Sequence, residues 1–251
     1  MTTWQLKKPV QAVVFDCDST LSSIEGIDEL AKQHHVGSIV QKMTAEAMGS
    51  SGLNPILYQN RLNLVNPTRE QVLKLGQLYY EHLTPDILAI ICLLKRLNKE
   101  IYLLSSGLYP SIAIFGELLT IPSENIFAVD ITFHEDGSYR DYDHASPLTH
   151  NDGKRAVIHK ISKIYPNLVF IGDGLNDYSI HHLVTRFIGY GGMAYRANMH
   201  KLCDYYIRSK SMTPILPLIL TPEETHQLKG DELNLYQTGL HALSSGEVKV
   251  K

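Results

Sequence analysis

Ala12-Val13-Val14-Phe15-Asp16-Cys17-Asp18-Ser19-Thr20-Leu21 is the stretch on which the reading of the fold turns. Residues 10–15 form a short, valine-rich apolar run that stops at an acid, the pattern of a buried strand. The pattern recurs at 101–104, which stops at Ser105, and at 168–171, which stops at Gly172-Asp173. Residues 187–189 are a weaker fourth copy. Helical periodicity fills the intervals at 85–97, 109–119, 153–164 and 175–183. Strands alternating with helices predict an α/β protein whose parallel sheet is covered on both faces. Ligands of such sheets bind at the carboxyl ends of the strands, and three of these four strands end in polar residues.

Residues 25–80 interrupt the alternation. They read as successive helices, 25–34, 36–48, 55–65 and 68–80, with no strand between them. The last opens on Asn66-Pro67-Thr68-Arg69-Glu70, a helix-start signal with Pro in the first turn. Inserted after the first strand's loop, this segment would stand over the carboxyl edge of the sheet as a cap. Residues 126–133 and 138–142 flank Glu135-Asp136-Gly137 and predict a β-hairpin. The expected organisation is a core of 1–24 and 81–220, a helical cap of 25–80, and a tail of 221–251 appended with one short helix at 232–243.

The whole chain narrows the function classes. Its 251 residues are 44% hydrophobic and 20% charged, enough for a real core. A formal net charge of -3 gives no general electrostatic reason to bind nucleic acid or an anionic membrane. The three cysteines, Cys17, Cys92 and Cys203, are far apart and form no CxxC pair, so they read as reduced thiols. No stretch approaches the ~18 apolar residues of a membrane span, and residues 1–10 lack a signal-peptide pattern. A cytoplasmic protein is expected. Oligomeric state has no signature in the sequence.

The chemistry lies at the strand ends. Asp16 and Asp18, two residues apart on a loop leaving a strand, can face one site, where one carboxylate attacks phosphorus and the other handles protons. Attack on a phosphate dianion needs a divalent cation, and Asp16 and Asp173 are hard oxygen donors suited to Mg²⁺. The plain alternative for Asp16-Cys17-Asp18 is an acid-rich turn. In Gly172-Asp173-Gly174-Leu175-Asn176-Asp177 the glycines allow close backbone approach. Asp177 could support a metal ligand from behind, or the acids could merely cap the next helix. Ser105-Ser106-Gly107 could cradle a phosphate at a helix start, or Ser105 could be a simple cap. Lys154 could neutralise a transferring phosphoryl group, or be a solvated surface charge. Cys17 is a poor nucleophile, because flanking acids raise a thiol pKa.

These four pieces, in this order, resemble the motifs of the haloacid dehalogenase superfamily. More narrowly, the chain resembles the phosphoserine phosphatase family. The narrower likeness rests on Glu25-Gly26-Ile27-Asp28-Glu29-Leu30-Ala31, Met43-Thr44 with Ala47-Met48-Gly49, Arg61-Leu62, His82-Leu83-Thr84-Pro85, and Ile188-Gly189-Tyr190-Gly191-Gly192 with Arg196. It spans about residues 12–220. The resemblance implies a Rossmann-like core with a helical cap inserted after the first strand, and Mg²⁺-dependent hydrolysis of O-phospho-L-serine. It implies Asp16 as nucleophile and metal ligand, and Asp18 as acid and base with its carbonyl on the metal. By the same resemblance Asp173 would complete the ligands, Ser105 and Lys154 would hold the phosphoryl oxygens, and Glu25 and Arg61 would hold the substrate's ammonium and carboxylate. Met48, Gly49, Asn176 and Arg196 match further contact positions. Ser106 stands where the family usually has glycine, Asn176 where threonine is common, and Gly52-Leu53-Asn54-Pro55 where a Pro-Phe pair is usual.

Two other functions compete with this expectation. A phosphatase or phosphotransferase acting on another small phosphomonoester would use the same scaffold, and transfer to an added alcohol would reveal it. A non-enzymatic phosphoryl-binding protein would have no need of Asp18 beside Asp16, Lys154 and Asp173.

Overall fold

The computed structural model describes residues 4–48 and 52–251. The first strand, β1 (Ala12–Phe15), is buried along its whole length, as the unbroken apolar run requires. It pairs in parallel with β2 (Glu100–Leu108) on one side and β6 (Leu168–Gly172) on the other. Beyond β2 lies β3 (Ile126–Val129). Beyond β6 lie β7 (Arg186–Tyr190), β8 (Tyr205–Ile207) and β9 (Val248–Val250), giving the order β3-β2-β1-β6-β7-β8-β9. Among the described strands of this sheet only β9 runs antiparallel to its neighbour. The chain moves outward from β1 on one side and then returns to its other side at β6. This topological switch point is where doubly wound sheets bind ligands, and Asp16 and Asp173 lie at the ends of the two strands beside it.

After β1, residues Cys17–Leu21 form a tight loop with Ser19 in the left-handed region, φ 54°. Four helices follow: α1 (Gly26–Gln33), α2 (Gly37–Glu46), α3 (Pro55–Val65) and α4 (Arg69–Glu81). α3 opens on Asn54, whose side chain accepts from the Leu57 N–H, with Pro55 in the first turn. α4 opens on a capping box between Thr68 and Gln71. The outgoing and returning strands of the insert pair at Ser22 and Leu83. The Ser22 hydroxyl donates to the carbonyl oxygens of Tyr79 and His82, at 2.9 and 3.1 Å.

α4 is fastened to the rest of the molecule along its length. Gly76 lets it press on α6 (Tyr109–Leu118): a Cβ there would come 2.7 Å from the Ile114 side chain and 2.8 Å from the Ser111 carbonyl oxygen. At its start the Arg69 N–H donates to the Gly137 carbonyl at 2.8 Å, and its guanidinium stacks over Phe133.

Three expectations need correction. Residues 126–133 are not one arm of a hairpin: the chain turns at Asp130, so that β3 joins the main sheet while β4 (Ile131–Phe133) pairs with β5 (Tyr139–Tyr142). Residues 175–183 divide into α8 (Leu175–Tyr178) and a separate turn at His181–Leu183. Residues 221–251 are not a loose appendage. Their helix α12 (Asp231–Ser244) is followed by β9, which covers the open edge of β8. Glu224 forms a buried ion pair with Lys99 at 2.5 Å, and Lys99 also donates to the Val10 carbonyl at 2.9 Å. Among the described residues no helix is long and apolar enough to cross a membrane.

Candidate active site

β1 delivers Asp16 to the carboxyl edge of the sheet, where its N–H donates to the Ile171 carbonyl at 2.9 Å and so extends the ladder. Lys154 opens α7 (Lys154–Ile164) and is buried despite its charge. Its ammonium donates to Asp16 Oδ1 at 2.5 Å and also to Asp177 Oδ1. Burial opposes that charge, yet Asp16 and Asp177 hold the Lys154 pKa above its ordinary value. The other Asp177 oxygen accepts from the Gly174 N–H at 2.9 Å, so the Lys154 and backbone contacts engage both oxygens.

Asp173 leaves β6 and meets Arg196, whose two nitrogens donate to the same oxygen, Oδ2, at 2.6 and 2.8 Å. The Arg196 guanidinium also reaches Glu25 Oε1 at 3.2 Å, and Ser19 donates to that oxygen at 2.7 Å. Burial pushes the Asp173 carboxyl up to about 6 in spite of Arg196. Burial, with Asp177 adding to it, raises Asp16 well above the carboxylate range although Lys154 opposes this. Burial also raises Glu25, reinforced by Asp18 and Asp173.

One carboxylate oxygen from each of Asp16, Asp173 and Asp177 lies within 4.8 Å of the others. Four carboxyl groups (Asp16, Asp173, Asp177, Glu25) share this pocket of charge with two ion-paired cations, Lys154 and Arg196. An all-oxygen, acid-rich donor set of this kind fits a hard divalent cation.

The Asp18 carboxylate stands outside that cluster. Its Oδ1 accepts from the Gly26 N–H at 2.6 Å and the Tyr79 hydroxyl at 2.8 Å, and its Oδ2 accepts from Ser105 at 3.4 Å. Burial raises its pKa, and these donors pull it back. Gly26 makes this possible, because a Cβ there would overlap the Tyr79 hydroxyl. Cys17 is buried, and burial together with Asp18 and Asp16 pushes its thiol up, which removes it as a nucleophile.

A cavity opens beside these groups. It is lined by Asp16, Asp18 and Asp173 from beyond the strand ends, by Asn176 from α8, and by Glu25, Met48 and Arg61 from the helical insert. Ser106 and Gly107 lie on the same wall. Ser105, Lys154 and Arg196 are not themselves part of the lining but contact residues that are, Asp18, Asp16 and Asp173 respectively, and Asp177 contacts Lys154. Gly49 lies outside the described residues. Arg61 is buried, with NH1 donating to Thr44 at 3.3 Å and Nε without a partner. Thr44 in turn donates to Asp28 at 2.7 Å.

The sequence reading brought most of this wall together but missed Tyr79, Tyr58, Gly26, Ser19 and Thr44 as contributors. Gly26 carried a signal, a glycine opening a helix directly after an acid. Tyr79 carried none, because the side of α4 that faces Asp18 depends on how the helix docks.

A family model for haloacid dehalogenase-like hydrolases matches residues 10–180. The chain belongs to that family. Within it, the chain is 35% identical over 198 residues to phosphoserine phosphatase of Bos taurus, covering 78% of this chain and 88% of the relative. The Drosophila melanogaster phosphoserine phosphatase is 34% identical over 200 residues, covering 78% and 74%. Among solved structures, a phospho-aspartyl intermediate analogue of phosphoserine phosphatase superposes with a TM-score of 0.74 at 25% identity, covering 85% of this chain and 100% of that one.

Proposed function

We propose that this haloacid dehalogenase-like hydrolase is a phosphoserine phosphatase, converting O-phospho-L-serine and water to L-serine and phosphate. The observation that carries the substrate is Arg61. A buried guanidinium with no carboxylate partner among the described residues is costly, and it lines the cavity that also holds Asp16, Asp18 and Glu25. An anionic group of the ligand would supply the missing partner. A phosphorylated amino acid satisfies the whole wall: phosphoryl group at Asp16, ammonium at Glu25, carboxylate at Arg61.

In this reading residues 25–80 are the cap, 1–24 and 81–220 the core, and 221–251 an extension of the core. Asp16 attacks phosphorus, and the bond from phosphorus to the serine oxygen breaks as Asp18 delivers a proton to that oxygen. The Asp16 acyl phosphate is then hydrolysed: Asp18 takes a proton from water, the water oxygen bonds to phosphorus, and the Asp16 carboxylate is released with phosphate. Lys154 holds positive charge beside Asp16 throughout, while Ser105 orients Asp18 and Gly107. Asp16, Asp173 and the Asp18 carbonyl, with Asp177 behind them, would hold Mg²⁺, which would supply charge neutralisation at the phosphoryl group. Met48 and Asn176 border the substrate, and Arg196 fixes Asp173 and Glu25. The activity belongs to serine biosynthesis, in the cytoplasm.

Steady-state kinetics with phospho-L-serine, phosphoethanolamine and glycerol phosphate test the substrate. Phospho-L-serine is expected to lead in kcat/KM by about a hundredfold, since each rival strands a buried charge. Arg61→Ala is expected to remove most of that lead. Equal use of glycerol phosphate and phospho-L-serine would overturn the assignment.

A further inference from the structure

Resting on the phosphoserine reading, we infer that the Ser106 hydroxyl is a specificity-determining donor that binds the substrate carboxylate together with Arg61 Nε. Both are buried donors without partners, and both residues line the same cavity. A buried hydroxyl without a hydrogen bond is uncommon, and of the unpartnered hydroxyls among the described residues Ser106 is the one that lines this cavity.

Ser105 and Ser106 are consecutive in β2, in the part where its register to β3 shifts. Ser105 points to the transfer chemistry: its Oγ donates to Asp18 and accepts from the Gly107 N–H at 2.8 Å. The Ser106 hydroxyl has no such partner, and the residue is held from the insert instead. Tyr58 joins it to Arg61 there. The Tyr58 hydroxyl donates to the Ser106 carbonyl at 3.1 Å, and the Arg61 guanidinium lies 5.8 Å from the centre of the Tyr58 ring.

Thr44 occupies Arg61 NH1, so this contact anchors the guanidinium while leaving Nε for a ligand. A carboxylate has two oxygens and takes charge-assisted donors readily. One oxygen on Arg61 and one on Ser106 would satisfy both orphaned donors. A backbone alone at position 106 would leave the carboxylate one hydroxyl short. Tyr58 is the positioning residue that holds the two donors in one frame.

The test compares wild type, Ser106→Ala and Ser106→Gly on phospho-L-serine and phosphoethanolamine, with inorganic phosphate as inhibitor. Loss of one hydrogen bond to a charged group is expected to raise KM for phospho-L-serine about tenfold with kcat nearly constant. Phosphoethanolamine brings no carboxylate, so its kcat/KM and the inhibition by phosphate are expected to change less than about twofold. Two results would overturn the inference: equal losses on both substrates together with weaker phosphate inhibition, which would make Ser106 a phosphate ligand, or no change on either substrate. Both leave the phosphoserine reading standing provided wild type still prefers phospho-L-serine. A wild type without that preference would overturn the reading itself.

Discussion

The Tyr79 hydroxyl donates to Asp18 Oδ1 at 2.8 Å, so the last full turn of α4 reaches down to the second acid of the Asp16-Cys17-Asp18 loop. The ring is buried and packs on Phe115 with centroids 5.5 Å apart. The hydroxyl and the Gly26 N–H together fix one oxygen of Asp18, leaving its orientation little freedom. Tyr79→Phe keeps the packing and removes only this donor. It is expected to lower kcat for phospho-L-serine about tenfold, a part of the ~10²–10⁴ that a placed acid and base contribute. An unchanged kcat in the folded variant would show that Asp18 needs no help from α4.

Lys154 carries a different kind of dependence. Its ammonium lies between Asp16 and Asp177, all three buried. Lys154→Met leaves two buried carboxylates facing each other without their cation. The variant is expected to lose about 3 kcal/mol of stability and more than about 100-fold in kcat. Urea denaturation with and without Mg²⁺ checks the first, and the loss is expected to shrink when Mg²⁺ is present. Wild-type stability in the metal-free variant would remove Lys154 from this electrostatic role.

The pH dependence of metal binding follows from Asp173. Its folded pKa, about 6, lies above the unfolded value of about 3.9. The folded, metal-free protein therefore holds this proton more tightly than the unfolded chain. Asp173 disfavours folding most above about pH 6, and that penalty fades as the pH falls toward 4. A cation competes with the same proton. The rise in Tm on adding Mg²⁺ is expected to be largest near about pH 7.5 and to shrink toward about pH 5. A Tm shift that grows as the pH falls would contradict carboxylate ligation at Asp173.

Closure over the substrate is expected to involve α1, α2 and α3 more than α4. Gly76 seats α4 on α6, Arg69 ties its start to Gly137, and Tyr79 ties its end to Asp18. Hydrogen exchange with Mg²⁺ and beryllofluoride, a phosphoryl mimic, is expected to raise protection in α1–α3 and leave α4 nearly unchanged. Large changes along α4 would instead point to the whole of 25–80 moving as one body.

Much of this arrangement is legible in local sequence because its chemistry sits where apolar runs stop. Val13 and Val14 end at Asp16, and Phe170 and Ile171 end at Gly172-Asp173, so buried strands announce their own functional edge. What local pattern does not carry is pairing. Nothing local tells that Asp130 splits one apolar stretch between two sheets, or that Val248-Lys249-Val250, three residues long, completes an edge. The same limit hid Tyr79. Its position on a helix could be read, but its contact with Asp18 depends on a docking set by Gly76 and Ile114, far away in the chain.

The covalent route through Asp16 is tested most directly by its intermediate. Rapid acid quench of the enzyme turning over phospho-L-serine with Mg²⁺, followed by peptide mass spectrometry, reads which residue carries phosphorus. The expected result is one phosphoryl group on the peptide holding Asp16, absent from Asp16→Asn, which is expected to lose more than about 10³-fold in turnover. Turnover with no phosphoryl group on that peptide, and Asp16→Asn as active as wild type, would contradict it.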